Sequence, residues 1–490
     1  MSAVATATAG IEPRPAAASA PLGWLRDRGM GASILVAAIS SAFGVVLISA
    51  TGYIAAMLRA DPYIGDSAML AVVLGIMTVL LVGVAVYVAA IVTANTFSTV
   101  IAGRTRRIAL LRLIGASART QRSQVARQGL VVGAIGSFAG LVGGTALAAV
   151  GVWTAGRMLG LEGVSFGVVQ PVLLVPAAIV ALTTWAAAWA GSRRVLAVTP
   201  LQALGGSVEA THDQLSRRTG RNVWAISLFV AGGALLAGGV LLGLVSPLGV
   251  IVAFAGGILS FTGLALGATL VMPPVLRLVG RIFGGSATAR LAAENALRHP
   301  ERSSRMAIGV VMGVTLVTMF AVAIESVKAV MSAAAGGQLP PEIATVLDSF
   351  AAIMMGLVAV SAVIAGVGLV NLLTIGVVQR RRELGLLRAL GVSNGQVRRM
   401  VLLEAAHVTI AALATGLVLG VLYGWAGAQS LLGSIPVNPD APSASSFVWP
   451  AVPFWPIVAI AGATTVLTLV AAVVPTRLAT RVAPVEALAE

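Results

Sequence analysis

The chain has 490 residues, 58% of them hydrophobic and only 10% charged, with a mean hydropathy of +0.98. A soluble domain carries about 25% charged residues, and apolar runs of about 20 residues cross a hydrocarbon core of roughly 30 Å, so the composition excludes a soluble globular chain and predicts an all-α polytopic membrane protein. Cysteine is absent, which excludes disulfides, thiolate metal sites and a cysteine nucleophile, and the formal charge of +15 is almost all arginine, since Lys328 is the one lysine.

Residues 1–23 are rich in Ala, Pro and Ser and read as a disordered cytoplasmic tail. The apolar run after Arg26 and Arg28 is too long for the core of a secretory signal and reads as an uncleaved span. Apolar runs then predict ten spans near 31–57, 69–97, 129–152, 171–191, 223–245, 249–276, 306–327, 350–378, 404–427 and 454–475. Ser246-Pro247-Leu248 forms a tight turn between the fifth and sixth. With both termini cytoplasmic, 29 of the basic residues fall inside and three (Arg59, Arg157 and Lys328) fall outside. Such a split is the positive-inside signature. The basic charge therefore reads as topology and lipid-headgroup contact, and nucleic acid is not expected as a partner.

The sequence repeats itself. Residues 104–115 align with 380–391 at an offset of 276, as do Asn95 with Asn371 and the Gly140/Gly144 pair with Gly416/Gly420. The Pro-containing segment 192–204 aligns with 476–488 at an offset of 284. Each copy predicts four spans, so the copies share one orientation and form a parallel repeat. The organisation is a tail (1–23), a first repeat (24–204), a linker with two extra spans (205–289) and a second repeat (290–490), with small outer loops throughout.

Between the second and third span of each copy lies a short basic helix. Leu384, Leu387 and Leu390, and likewise Ile108, Leu111 and Ile114, are spaced to make one apolar stripe. Arg104, Arg106, Arg107 and Arg112 flank the stripe in the first copy; Arg380, Arg382, Glu383 and Arg388 flank it in the second. Gly115 and Gly391 stand where a helix would stop, and Ser117 and Ser393 where the next would start. A lone helix of this kind reads equally as one lying on anionic lipid; its duplication with the same glycine stop favours a partner engaged twice.

The pattern Arg-x-Glu-Leu-x-Leu-Leu-Arg-Ala-Leu-Gly at 381–391 resembles the signature of FtsX-like permeases, the membrane subunits of the macrolide-exporter and lipoprotein-release superfamily of ABC transporters. The endings Pro-Leu-Gln-Ala-Leu at 200–204 and Pro-Val-Glu-Ala-Leu at 484–488 resemble the close of that domain, and 294–302 its cytoplasmic lead-in. The resemblance covers 24–204 and 290–490. It implies that 104–125 and 380–401 are coupling elements docking on a cytoplasmic ABC ATPase, two copies per chain, in a bacterial plasma membrane. It also implies that ATP and magnesium belong to that ATPase and that this chain holds no cofactor. Two departures stand out: Arg107 occupies the place of Glu383, and the outer loops leave no room for the family's large extracytoplasmic domain.

A P-loop needs a lysine on the phosphates, and Lys328 lies in a segment expected outside the membrane, so the chain is not expected to hydrolyse ATP. No metal site is expected from three histidines without ligand spacing. Glu404 and His407 share a helix face near the start of the ninth span, which suits either a proton or substrate role or simple pairing of Glu404 with Arg398 or Arg399. Glu325 and Lys328 are expected to pair. Asn95 and Asn371 suit hydrogen bonding between helices, and the Gly140/Gly144 and Gly416/Gly420 pairs suit close helix approach. The eighth span, at 29 residues and about 43 Å, reads as a lever. Export of an amphipathic compound is the expected function; its rivals are a non-transporting regulator of an envelope enzyme or sensor, and a secondary transporter, which would require paired charges at mid-membrane.

Overall fold

The computed structural model describes residues 30–60, 68–103, 117–158, 166–196, 219–281, 286–298, 300–334, 336–338, 381–434 and 447–481, with isolated positions at 110, 344, 348 and 351. All regular structure among them is helical. The helices are α1 (Met30–Arg59), α2 (Ala68–Gly103), α3 (Ala118–Met158), α4 (Leu174–Leu196, entered through a 3-10 turn), α5 (Thr219–Gly243), α6 (Gly249–Leu266), α7 (Ala268–Gly280), α8 (Ala287–Arg298), α9 (Pro300–Ala334), α10 (Arg381–Ala389), α11 (Asn394–Leu432) and α12 (Phe454–Arg481). Eight of these, α1 to α6, α9 and α11, are long and apolar enough to cross a membrane. The apolar part of α12, Phe454–Val470, is shorter. The expected span at 350–378 lies outside the described residues apart from Ala351. Helices suit the bilayer because every backbone N–H and C=O is satisfied within the segment.

Two features differ from the sequence expectation. The run 249–276 is not one helix: it breaks at Gly267 into α6 and α7, and Pro273 and Pro274 within α7 remove two of the amides that would continue a regular ladder. The third and ninth spans, expected at 129–152 and 404–427, are the apolar parts of longer rods. α3 has 41 residues and α11 has 39, about 60 Å each at 1.5 Å per residue, twice the hydrocarbon thickness. Their basic first turns continue straight into the membrane segments, with no break between.

Helix pairs α1/α3 and α9/α11 close in the same way. A methyl group added to Gly140 would overlap the Ala38 carbonyl, and one on Gly144 would sit 2.9 Å from the Cα of Ala42. In the second pair Gly416 would meet Val314 at 2.8 Å and Gly420 would meet Thr318 at 2.5 Å. Val314 and Thr318 lie 276 positions after Ala38 and Ala42, so both glycines and both partners obey one offset. Ser41 Oγ also donates to the Ser137 carbonyl at 2.9 Å, tying α1 to α3. Small residues bring the backbones together because lipid offers no hydrophobic drive for helix association.

The linker helices α5 and α6 form a hairpin closed by glycines at seven-residue spacing. Gly249, Gly256 and Gly263 of α6 press against Gly239 and Gly243, Gly232 and Leu236, and Phe229 in turn. Leu244 to Gly249 make the tight turn between them, with Gly249 N–H donating to the Ser246 carbonyl at 3.0 Å. The hairpin is bound to both copies. Tyr87 of α2 donates to the Ile258 carbonyl at 3.2 Å and pairs with Thr262 at 2.9 Å, while Tyr423 of α11 pairs with Ser260 at 2.8 Å. The Phe254 ring lies over Gly83 of α2, and Ser430 of α11 over Gly243 of α5. The core runs through the middle: Phe43 and Leu47 of α1, Leu81 and Val88 of α2, Phe261, Met272, Leu276, Val311 and Val408 belong to one buried cluster.

At the end of the bundle away from the basic turns, residues 447–453 cross α9 and α11 as an extended strap. Gln429 Oε1 accepts from Val448 N–H at 2.6 Å, Trp425 Nε1–H donates to the Val448 carbonyl at 2.8 Å, and Ala451 N–H donates to Ser326 Oγ at 3.2 Å. Phe447, Trp449, Phe454 and Trp455 are exposed around it. Lys328 at the same end pairs with Asp348 instead of Glu325. The local i, i+3 spacing suggested the wrong carboxylate because a residue 20 positions away comes closer.

Candidate coupling surface

The short helix α10 is amphipathic by construction. Leu384 is 3% exposed and packs with Ala292 of α8 and with Val397, Met400 and Val401 of α11; Leu387 and Val392 lie against the same cluster. Asn295 of α8 adds a contact to the Met400 sulfur. The opposite face carries Glu383, Leu386 (52% exposed) and Leu390 (75% exposed). The predicted stripe of three leucines is therefore divided. Leu384 and Leu387 fix the helix to the bundle, whereas Leu390, at the helix end, turns outward beside Leu386.

What stops α10 also aims α11. Gly391 has φ +99, the left-handed region that an L side chain rarely adopts. Val392 N–H donates to the Leu387 carbonyl and Gly391 N–H to the Arg388 carbonyl, both at 3.1 Å. This is a Schellman closure, and Val392 and Leu387 both pack against the Leu384 cluster. Ser393 then caps α11: its Oγ accepts from Gln396 N–H at 3.2 Å, and Gln396 Oε1 accepts from Ser393 N–H at 2.9 Å. The closing motif of one helix ends at Val392 and the capping box of the next begins at Ser393, with no residue between them. The result is an elbow with no slack, joining an exposed apolar face to a rod about 58 Å long.

In the first copy, Leu110, which aligns with Leu386, is also exposed. Ser117 caps α3 by accepting from Thr120 N–H at 3.1 Å, without the reciprocal glutamine. Arg104, Arg106, Arg107, Leu111, Arg112 and Gly115 lie outside the described residues, as do Arg380 and Asn371. Arg382 and Asn95 are in helices whose side chains there are outside the described set. Arg388 is half-buried on α10.

A family model, FtsX-like permease C-terminal, matches residues 79–200 and again 355–484, together just over half of the chain. The chain belongs to the FtsX-like permease family. The two matches begin 276 positions apart and end 284 apart. Among curated proteins, this permease is similar to the ABC transporter permease YtrF of Bacillus subtilis, 36% identical over 73 residues, or 14% of this chain and 16% of that one. It is also similar to an uncharacterized ABC transporter permease of Methanocaldococcus jannaschii, 28% identical over 85 residues, or 17% of this chain and 21% of that one. The matched segments thus span about a sixth and a fifth of those relatives. The protein is a multi-pass membrane protein of that family.

Glu404 and His407 are both buried, one turn apart on α11. His407 Nε2–H donates to the Leu276 carbonyl of α7 at 2.7 Å. Its ring rests on Gly280, where a methyl group would lie 3.3 Å from Cε1. The histidine thus ties the rod α11 to the short linker helix α7. Sequence spacing showed the Glu404–His407 pair but not this partner 131 positions away. The Ser-x-x-Gln of the capping box was legible in the sequence; the split of the leucine stripe was not, because spacing alone does not say which face meets α8.

Proposed function

We propose that this chain is the permease of an ABC transporter that exports or extracts an amphipathic compound, driven by a separate ATPase dimer. The observation that carries the reading is the elbow at 384–397. It presents Leu386, Leu390 and Glu383 outward at the basic end of the bundle and is locked to a helix that runs the whole bundle length. An ATPase seated on that face would move α11 directly. Exposed Leu110 and the Ser117 cap of α3 support a matching surface in the first copy, hence two ATPase subunits per chain, one on each repeat (24–204 and 290–490). The basic end, and with it both termini, is assigned to the cytoplasm by the distribution of arginine. ATP and magnesium belong to the ATPase, and this chain supplies no catalytic residue.

α3 and α11 take the lever role that the sequence suggested for 350–378, since they are continuous from the elbow to the far end. The exposed aromatic strap 447–455 supports an amphipathic substrate, offering apolar surface where such a compound would leave the membrane. Substrate class is tested by purifying the chain with the ATPase encoded beside it and assaying ATPase stimulation by lipids, peptides and antibiotics in proteoliposomes. Stimulation by an amphipathic compound, lost in a Leu386→Asp/Leu390→Asp variant, is expected. Failure of any ATPase to bind the wild-type chain would refute the reading.

A further inference from the structure

One basic cluster, at the end of the segment 104–125, has a partner that ATPase docking does not call for. On α3, Arg122 lays its guanidinium over the ring of Trp189 on α4, 4.2 Å from the ring centroid. Its Nε and Nη2 are buried and have no hydrogen-bond partner among the described residues. The residue as a whole stays half-exposed. Arg119 and Arg127 flank it on α3 and are exposed. Neither α3 nor α4 contains an aspartate or glutamate, so these helices provide no counter-charge of their own.

The surroundings say what would supply one. Trp189 is 40% exposed and Trp185, one turn deeper, is exposed beside it; Leu182 continues the same apolar face toward mid-membrane, and Leu130 does so on α3. Tryptophan at this depth marks the membrane–water interface. A desolvated arginine held at the interface, above an apolar helix surface, fits a phosphate that carries acyl chains. We propose that Arg122 and Trp189 form a site for the phosphate of an anionic phospholipid in the leaflet at the basic end, with Arg119, one turn away on α3, adding charge at its rim.

The second copy lacks this site. At the repeat offsets Arg119, Arg122 and Arg127 correspond to Gly395, Arg398 and Leu403, and Trp185 and Trp189 to Leu469 and Val473. One arginine remains and both tryptophans are gone. The lipid is therefore held by the first repeat alone, which makes the pseudo-symmetric permease asymmetric toward the membrane. The inference is independent of the ATPase reading: the lipid site can fail while coupling stands, and the reverse.

The test uses the purified full-length chain, delipidated and exchanged into nanodiscs of phosphatidylcholine doped with phosphatidylglycerol, with retained lipid identified by native mass spectrometry. The wild type is expected to retain phosphatidylglycerol over phosphatidylcholine. Arg122→Gln should cut that retention about fivefold, the share of one basic residue near an anionic surface, and Trp189→Leu should lower it in the same direction. Arg398→Gln, in the second copy, should leave it unchanged. Helicity by circular dichroism confirms that each variant is folded, and Arg122→Lys, which keeps the charge, replaces the glutamine variant if that one fails to fold and should retain more lipid than Trp189→Leu combined with Arg122→Lys. Equal loss in Arg122→Gln and Arg398→Gln, or no preference for phosphatidylglycerol, overturns the proposal. Displacement of the lipid by millimolar inorganic phosphate overturns it as well, since the site would then take a free anion.

Discussion

Gly391→Ala isolates the elbow from everything around it. A methyl group at this position meets no atom within 4 Å, so the substitution adds no clash and leaves the Leu384 cluster intact. The whole cost lies in the backbone, because φ is +99. Holding an L residue in left-handed space costs about 1–2 kcal/mol. Gly395→Ala is the matched control. Gly395 lies in the first turn of α11, its added methyl comes no closer than 3.9 Å to Ser393 Oγ, and alanine there favours the helix by up to about 1 kcal/mol. The two variants add the same atom four residues apart and are expected to have opposite signs. The assay is amide hydrogen exchange over 390–397 in detergent or nanodiscs. Opening of the elbow should rise about 5- to 30-fold in Gly391→Ala, the population ratio for that energy, and fall or stay constant in Gly395→Ala. With the ATPase bound, Gly391→Ala should lower transport per ATP hydrolysed while the complex still co-purifies. Unchanged exchange in Gly391→Ala would show that the turn carries no strain and that the elbow is not the rigid joint described above.

The two faces of α10 should separate cleanly. Leu386→Asp with Leu390→Asp is expected to leave thermal stability within about 0.5 kcal/mol and abolish ATPase co-purification, whereas Leu384→Ala should destabilise the fold by about 2–5 kcal/mol, read by thermal denaturation. In the helix seams, Gly140→Ala should destabilise by about 1–3 kcal/mol through overpacking, while Gly143→Ala, which faces open space, should change nothing. His407→Leu and Tyr87→Phe should each cost about 0.6–1.7 kcal/mol, the range for hydrogen bonds between membrane helices, with Tyr423→Phe similar.

Much of this architecture was written in local pattern. Apolar run length gave the class, and the repeat offset of 276 matched Gly140 with Gly416 before either had a partner. Those glycines are legible because a small residue every fourth position has one common use in a membrane helix. Other features depend on distant residues and left no local trace. Lys328 chose Asp348 over the nearby Glu325. The division of Leu384 from Leu390 depends on where α8 lies. The hairpin α5/α6 carries glycines every seventh residue from 249 to 263, a visible period, yet its binding to Tyr87 and Tyr423 required both copies to be folded around it. The continuity of α3 and α11 through their basic turns was hidden because hydropathy drops at the membrane surface whether or not the helix stops there.

The linker constrains how the two repeats can move. Tyr87 and Tyr423 belong to different copies, yet both bind the stretch 258–262, little more than one turn of α6. The glycine contacts of α5 and α6 leave the hairpin no room to flex at that level. The copies are thus tied together near mid-bundle, and relative motion there requires breaking at least one tyrosine contact. The ends are held differently. At the basic end α11 meets the linker through the hydrogen bond from His407 to the Leu276 carbonyl of α7, beyond the break at Gly267. A joint follows at that glycine, where α7 can pivot with α11 while α6 stays fixed to α2. Force entering at the elbow would then rock α11 about the Tyr423–Ser260 contact, moving the basic end one way and the strap at 447–453 the other. Replacing Gly267 with alanine tests the pivot. Its methyl would lie 3.1 Å from the Gly263 carbonyl and 3.3 Å from Ala225, tightening the joint. Co-purification with the ATPase should persist and the amplitude of motion between labels on 390 and 449 should shrink, as measured by double electron–electron resonance. An unchanged distance distribution on ATP addition would place the hinge elsewhere.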